Sequence, residues 1–310
     1  MRSCVPRRKL SSLTDQQTST VTGVAFGLAA VLAWAVYNIG VAEGRAAGFT
    51  VGDLTFLRYL GATLALAPVA LQRMRRRIYG PGLWRIFALL CLAGPHFGVL
   101  YNFGMPLTRL SHAVIISPGL SMISAVALTS LSLGKVPVPS KLIGLVVLVT
   151  ALLMIGLDRP SAGQGAFQPW RGDMIFVLTG TLYGTFSFLL GRWRGDAVVT
   201  TFWISALSLL IVGPWYAIDA ATTSIQPSAW ILQFVLQGVL GGGWAIVLYA
   251  ISIRHLGADR AGIFPALVPV CAALVNIPIS GHLPSSLEAI GCVLAALGMY
   301  LTLKRQKRAT

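Results

Sequence analysis

The chain of 310 residues is 55% hydrophobic and only 11% charged, with a mean hydropathy of +0.76, whereas charged residues make up about a quarter of an ordinary soluble domain. This composition excludes a separate soluble catalytic, nucleotide-binding or receptor domain. The net charge of +15 does not indicate nucleic-acid binding, because the basic residues are concentrated at the two ends and in one short loop, between apolar segments.

Ten apolar segments follow one another along the chain, each bounded by charged residues, Gly or Pro. A helix needs about 20 residues to cross about 30 Å of hydrocarbon, and the segments have about this length. They lie at 21–41, 54–72, 83–105, 111–133, 141–157, 173–191, 198–218, 230–252, 260–280 and 287–303. The sequence therefore predicts an all-α integral membrane protein with ten transmembrane helices, between a disordered N-terminal tail over 1–20 and a basic C-terminal tail over 304–310.

The distribution of basic residues indicates how these helices are oriented. An even number of crossings places both termini on one side of the membrane, and nineteen of the 24 Lys and Arg residues fall on that side. Cytoplasmic loops are the ones enriched in Lys and Arg. We therefore expect a multi-pass protein of the inner (plasma) membrane of the cell, with both termini in the cytoplasm.

The two halves of the chain resemble each other when the sequence is shifted by 147 residues. Over positions 113–146, nine residues are identical to their shifted partners, including Pro118 with Pro265 and Gly144 with Gly291. Each half holds five predicted helices, and an odd number places the second copy upside down relative to the first. The sequence thus predicts two inverted five-helix repeats, which cover 21–157 and 158–303.

The chain resembles the ten-helix EamA-repeat branch of the drug/metabolite transporter superfamily, from about residue 23 to residue 303. The resemblance rests on Trp34 in the first helix, Arg58 early in the second, and a proline in the fourth and ninth helices. The family commonly ends those two helices with a Leu-Gly-Glu signature, whereas this chain has Lys135 and His282 at the glutamate positions. No role of that glutamate is carried over to this chain.

The resemblance implies a secondary transporter or facilitator that exports or exchanges small metabolites, often amino acids, across the inner membrane. It also implies alternating access around a central cavity between the two repeats. The expected partners are the lipid bilayer and a small-molecule substrate, with no nucleic acid. Faces of small residues occur both in the core of such a fold and at dimer contacts, so a homodimer stays open.

Polar and aromatic side chains recur near the middle of the predicted helices. Trp34, Tyr37 and Asn38 lie three or four residues apart and therefore share one helical face. The residues predicted to line a substrate cavity are Trp34, Tyr37, Asn38, Arg58, His96, Tyr101, Asn102, Tyr183, Ser187, Gln237, Trp244 and Asn276. For each residue the alternative is a structural role, in an interfacial aromatic belt or in a hydrogen bond between helices.

Arg58 and His96 are the members of this set that carry or can acquire a charge. Arg58 either extends to the nearby membrane surface or points inward and holds a substrate carboxylate by paired hydrogen bonds. None of the nine carboxylates lies near the centre of a predicted helix, so a carboxylate proton relay is not expected. His96 is then the candidate proton acceptor, and the alternative is a neutral histidine bonded to a neighbouring helix.

Prolines predict broken helices in the fourth and ninth spans. Paired broken helices in two repeats indicate a substrate site and its hinges, so Ser117, Pro118, Pro265 and Pro269 are predicted hinge residues. The alternative is a kink that only helps the helices to pack.

Three other functions compete with a carrier: a channel, a non-transporting membrane scaffold and an intramembrane enzyme. The four histidines lie in different segments, and the four cysteines have no metal-binding spacing. The sequence therefore predicts no catalytic residue, no metal and no cofactor.

Overall fold

A computed structural model of the protein describes residues 7–104, 107, 110–134, 136–158, 169–219, 225–280 and 285–303. Thirteen α-helices occupy most of these ranges. They are α1 (Arg7–Ala46), α2 (Val51–Arg75), α3 (Leu83–Ala93), α4 (Pro95–Gly104), α5 (Leu110–Leu133), α6 (Pro139–Asp158), α7 (Pro169–Trp193), α8 (Ala197–Asp219), α9 (Pro227–Gln233), α10 (Ala245–Leu256), α11 (Ala258–Ala261), α12 (Val268–Ser280) and α13 (Ser286–Leu303). A π-helical segment, Phe234–Trp244, joins α9 to α10, and a 3-10 turn, Phe264–Leu267, joins α11 to α12.

These helices confirm the predicted membrane protein of ten spans in two inverted repeats. Seven helical stretches among the described residues are long and apolar enough to cross a membrane, and α6 and α13 contain shorter apolar helices. The third, eighth and ninth spans are each built from more than one helix: α3 with α4, α9 through α10, and α11 through α12.

The main helix contacts join one repeat to the other. α1 packs on α10, α2 on α8 and on the π-helical segment, α5 on α7, and α6 on α13. Glycines bring the backbones together at three of these contacts: a Cβ on Gly61 would lie 2.7 Å from the Gly238 Cα, one on Gly144 would lie 2.8 Å from the Gly298 oxygen, and one on Gly180 would lie still closer to the Ser117 oxygen. The two repeats therefore form one interlocked bundle, in which small residues permit the closest approaches.

Gly61→Ala is expected to destabilise the bundle by about 1–3 kcal/mol, because the added methyl group meets backbone atoms that have no room to move. Gly213→Ala is the matched control, since a Cβ at that position meets nothing within 4 Å. Thermal unfolding of the two purified variants measures the difference. Equal midpoints would show that the Gly61 contact does not limit packing.

Helix α1 begins earlier than the sequence predicts. The sequence predicts a disordered tail over 1–20, yet α1 runs from Arg7, and the Ser19 hydroxyl lies 3.1 Å from Nδ1 of His255 in α10. Once a span is helical, each added residue gains a backbone hydrogen bond without a new nucleation cost. The helix therefore continues beyond the apolar segment.

The paired breaks predicted in the fourth and ninth spans are present only in the ninth. Helix α5 continues through Pro118, because one proline removes a single backbone hydrogen bond and neighbouring groups compensate for it. The ninth span has Pro265 in its 3-10 turn and Pro269 in the first turn of α12. Two prolines four residues apart remove donors in successive turns, and the helix is interrupted there.

Two ion pairs join the repeats on one face of the bundle. We call this the proximal face; it is formed by the loops 76–82 and 194–196, and the alternation of crossings makes it the side of both termini. The Arg73 guanidinium lies 2.5 Å from an Asp196 carboxylate oxygen, and the Lys141 ammonium pairs with Asp259. Each pair links a residue of the first repeat to one of the second.

The opposite, distal face is formed by the loop 47–50 and by the end of α4 at Gly104. Here Asp53 and Thr50 form a capping box at the start of α2: the Thr50 hydroxyl accepts from the Asp53 N–H at 3.0 Å, and the Thr50 N–H donates to the Asp53 carboxylate at 2.7 Å. This cap satisfies orphan donors at the helix start. It also fixes the depth of Arg58, which lies seven residues after Val51, the first residue of α2.

Candidate functional site

A cavity of about 100 Å³ lies between the two repeats. Both repeats contribute to its wall. The lining residues are Trp34, Tyr37, Asn38, Arg58, Phe97, Gly98, Tyr101, Ser117, Pro118, Ser121, Tyr183, Pro265 and Val268.

The position of the lining residues along their helices places the cavity in the middle and the distal half of the bundle. Tyr101 is three residues from the distal end of α4, and Arg58 is seven residues from the distal end of α2, which corresponds to a depth of about 10 Å. Tyr183 lies deeper, fourteen residues after the start of α7. The Arg73 ion pair is a further fifteen residues along α2 from Arg58, at the far end of the bundle.

Six of the twelve residues predicted to line a cavity are on this wall: Trp34, Tyr37, Asn38, Arg58, Tyr101 and Tyr183. Three of the four predicted hinge residues, Ser117, Pro118 and Pro265, are there as well. Asn38 turns its amide back to the Trp34 carbonyl, at 2.9 Å, so this amide is partly used within its own helix.

His96 is placed outside the cavity, contrary to the sequence-based prediction. Helix α3 ends at Ala93, and Pro95 begins α4, which sets a new rotation for the residues that follow. Phe97, Gly98 and Tyr101 share the face toward the cavity. His96 points away from that face, and its side chain is exposed.

Three predicted lining residues form structural hydrogen bonds instead. Gln237 donates to the Gln233 side chain at 2.9 Å, and Gln233 in turn donates to the Gly40 carbonyl at 2.8 Å. The Asn102 amide lies 3.5 Å from the Thr55 hydroxyl. Ser187 accepts from the Tyr249 hydroxyl at 2.9 Å. These buried polar groups bind helix to helix, which is the alternative role that the sequence left open.

The remaining predicted residues also lie off the wall or outside the described part. Trp244 is half-buried against the apolar core. Pro269 is buried in the ninth span and does not line the cavity. The Asn276 side chain, Lys135 and His282 lie outside the described residues.

Aromatic rings pack together in the deeper part of the cavity wall, and we call them the aromatic layer. Tyr183 is at its centre, with ring centroids 6.1 Å from Trp34, 6.0 Å from Tyr249 and 5.5 Å from Phe97. Trp34 also contacts Tyr249 at 5.3 Å. Offset and edge-to-face contacts of this kind stabilise a rigid apolar surface. Tyr249 is fully buried and belongs to this layer; the sequence does not predict it as a site residue, and it lies three residues before the end of the predicted span 230–252.

Arg58 provides the charge of the wall. Its side chain is only 8% exposed, so it does not extend to the membrane surface. The guanidinium carbon lies 5.0 Å from the centre of the Tyr37 ring, in cation–π geometry. A Cβ on Gly242 would lie 2.9 Å from the Arg58 Cγ, so the glycine in the π-helical segment makes room for the arginine. Among the described residues, no other lining residue is charged.

Two hydroxyl groups on the wall are available to a bound solute. The oxygens of Ser121 and Tyr183 are buried and have no hydrogen-bond partner among the described residues. A buried polar group without a partner is costly, and a solute that offers a donor or acceptor would remove that cost. Among the described residues, no group of three or more His, Cys, Asp or Glu side chains could hold a metal ion.

Comparison with known proteins gives a family and a fold. The model of the EamA-like transporter family matches residues 21–157 and 170–304. A protein of known crystal structure is similar over 92% of this chain and 96% of its own, with a TM-score of 0.71 and 17% sequence identity. This likeness concerns the fold alone. No curated protein sequence matches the chain.

Proposed function

The chain belongs to the EamA-like transporter family, and from this premise we propose that it is a secondary transporter or facilitator that exports small metabolites across the inner membrane. Amino acids are the candidate class that the family resemblance provides. The observation that carries the proposal is the cavity between the repeats, walled by both and supplied with one buried cation and two unpartnered hydroxyls.

Alternating access is the mechanism that this arrangement supports. The cavity lies toward the distal face, while the aromatic layer and the two proximal ion pairs separate it from the other side. Inverted repeats can exchange conformations, so that the closed side of one state becomes the open side of the next. Breaking the Arg73–Asp196 and Lys141–Asp259 pairs would then accompany opening toward the proximal side.

Saturation of flux distinguishes this carrier from a channel. Purified protein in proteoliposomes is given a panel of labelled amino acids and organic acids, with and without a proton gradient. We expect saturable flux and accelerated exchange when unlabelled solute is present on the opposite side. Flux that rises linearly with concentration, or ionic conductance, would support a channel instead, and a folded protein that moves no member of the panel would support a scaffold.

His96→Ala is expected to leave flux and its response to a proton gradient unchanged within about twofold. The reason is that the imidazole is exposed and lies outside the cavity. The same proteoliposome measurement checks this result. Loss of gradient-driven flux in this variant would restore His96 as the proton-coupling group.

A further inference from the structure

We infer that the cavity selects an organic monoanion, in which a single carboxylate binds Arg58 and an apolar body contacts the aromatic layer. The inference rests on the proposed transport function, and it replaces amino acids by monocarboxylates as the expected substrate class. It predicts that a monocarboxylate binds more tightly than the zwitterion with the same apolar body, and that both bind more tightly than a polyanion.

The first support is the unbalanced charge of Arg58. The side chain is almost fully buried, and the ion pairs of the described residues involve other cations, Arg73 and Lys141. A buried charge is stabilised when an opposite charge and its hydrogen bonds accompany it. The Tyr37 ring supplies only part of this compensation. A solute carboxylate would supply the rest, through the paired hydrogen bonds that a guanidinium forms with two oxygens.

The second support is the absence of an acidic group on the described wall. A zwitterion brings an ammonium group that must also lose its water, and no lining residue offers it a carboxylate. In an amino acid the ammonium is one carbon away from the carboxylate, so it would also be held close to the Arg58 charge and be repelled by it. A monocarboxylate avoids both costs.

The third support is the composition of the remaining wall. Trp34, Phe97, Tyr101 and Tyr183 present ring surface, and Ser121 with Tyr183 adds neutral hydroxyls. Such a surface favours an apolar body of limited polarity. A phosphorylated sugar or nucleotide carries two or more negative charges and would need more cations than the single arginine of this wall.

Matched ligands test the inference in the purified full-length chain. Phenylpropionate, phenylalanine and phenylpropanamide share one body and differ in charge, and hexanoate with hexanamide repeats the comparison for an aliphatic body. Binding is measured by calorimetry or thermal shift. We expect at least one carboxylate to bind about tenfold or more tightly than its amide and, in the aromatic series, than phenylalanine.

Substitution of Arg58 tests whether this residue makes the selection. Arg58→Gln is expected to abolish the preference of carboxylate over amide and to leave amide binding within about twofold. Arg58→Lys is expected to keep part of the preference, because it retains the charge but not the paired geometry. The Arg58→Lys variant also keeps the inference testable if Arg58→Gln fails to fold. His96→Ala serves as the control, with the preference unchanged.

Each outcome bears on the inference separately from the proposed function. Wild-type protein that binds phenylalanine or an amide as tightly as the carboxylate would overturn the inference, as would failure of every monocarboxylate to bind. Saturable flux of other solutes in that same preparation would leave the transporter proposal standing. A preference that survives Arg58→Gln would show that another group selects the anion.

Discussion

Replacing Trp34 with Ala is expected to lower saturable flux about 100-fold while the amount of protein in the membrane stays normal. Trp34 lines the cavity, and its ring contacts both Tyr183 and Tyr249. The variant removes ring surface that a bound solute contacts. A loss of about 2.7 kcal/mol from this buried surface corresponds to about 100-fold.

Flux in proteoliposomes, normalised to reconstituted protein, measures this effect. Trp203→Ala is the matched control, because it removes the same atoms from an exposed tryptophan that does not line the cavity. Its flux is expected to stay within about twofold of the wild-type value. An equal loss in both variants would show that the effect comes from the fold and not from the cavity.

Reversing the charge of both Arg73 and Lys141 is expected to open the proximal face. The double variant Arg73→Asp with Lys141→Asp places carboxylates opposite Asp196 and Asp259, so that two attractions between the repeats become repulsions. Partly buried pairs of this kind contribute about 1–2 kcal/mol each, between the values of exposed and buried pairs. The balance between the two states is expected to shift toward the proximal-open form by at least about tenfold.

Labelling of Ser121→Cys from each side of the membrane measures that shift. The native cysteines are first replaced by Ala, and a membrane-impermeant maleimide is added to one side of oriented vesicles. We expect faster labelling from the distal side in the parent protein and from the proximal side in the double variant. Unchanged labelling would show that the ion pairs do not close the proximal face.

A charge exchange provides the control for this experiment. Lys141→Asp combined with Asp259→Lys restores an attraction between the same two positions. We expect Ser121→Cys in this variant to be labelled faster from the distal side, as in the parent protein. The other pair is unsuitable for exchange, because the Asp196 carboxylate also accepts from the Val199 N–H at 3.0 Å. Replacing Asp196 with a cation would remove the cap at the start of α8 as well as the ion pair.

Hydropathy, charge asymmetry and the repeat were sufficient to predict the ten spans and their inverted arrangement. Hydropathy reflects the apolar solvent that surrounds each span, and the charge asymmetry and the repeat can be read from the order of the residues. Part of the cavity wall was also predictable, because Trp34, Tyr37 and Asn38 recur at helical spacing and Arg58 is a charge within a span. A polar group in hydrocarbon needs a partner, and polarity therefore marks these positions.

Polarity alone does not say which partner a residue uses. Gln237 and Ser187 are as polar as the wall residues, yet Gln237 bonds to Gln233 in its own span and Ser187 bonds to Tyr249 of α10. The rotation of each helix decides between these roles, and a break such as the one at Gly94 changes that rotation locally. Phe97, Gly98 and Val268 carried no signal, because apolar and small residues are ordinary in any span.

The π-helical segment explains why Tyr249 and not Trp244 faces the aromatic layer. Its hydrogen bonds reach one residue further than those of an α-helix, so each turn contains more residues and the helical phase drifts through Phe234–Trp244. Residues beyond this segment are rotated relative to an uninterrupted α-helix. Deleting one of the glycines 241–243 would therefore rotate α10 about the helix axis. This rotation would turn Tyr249 away from Tyr183, although every other side chain of the span is kept.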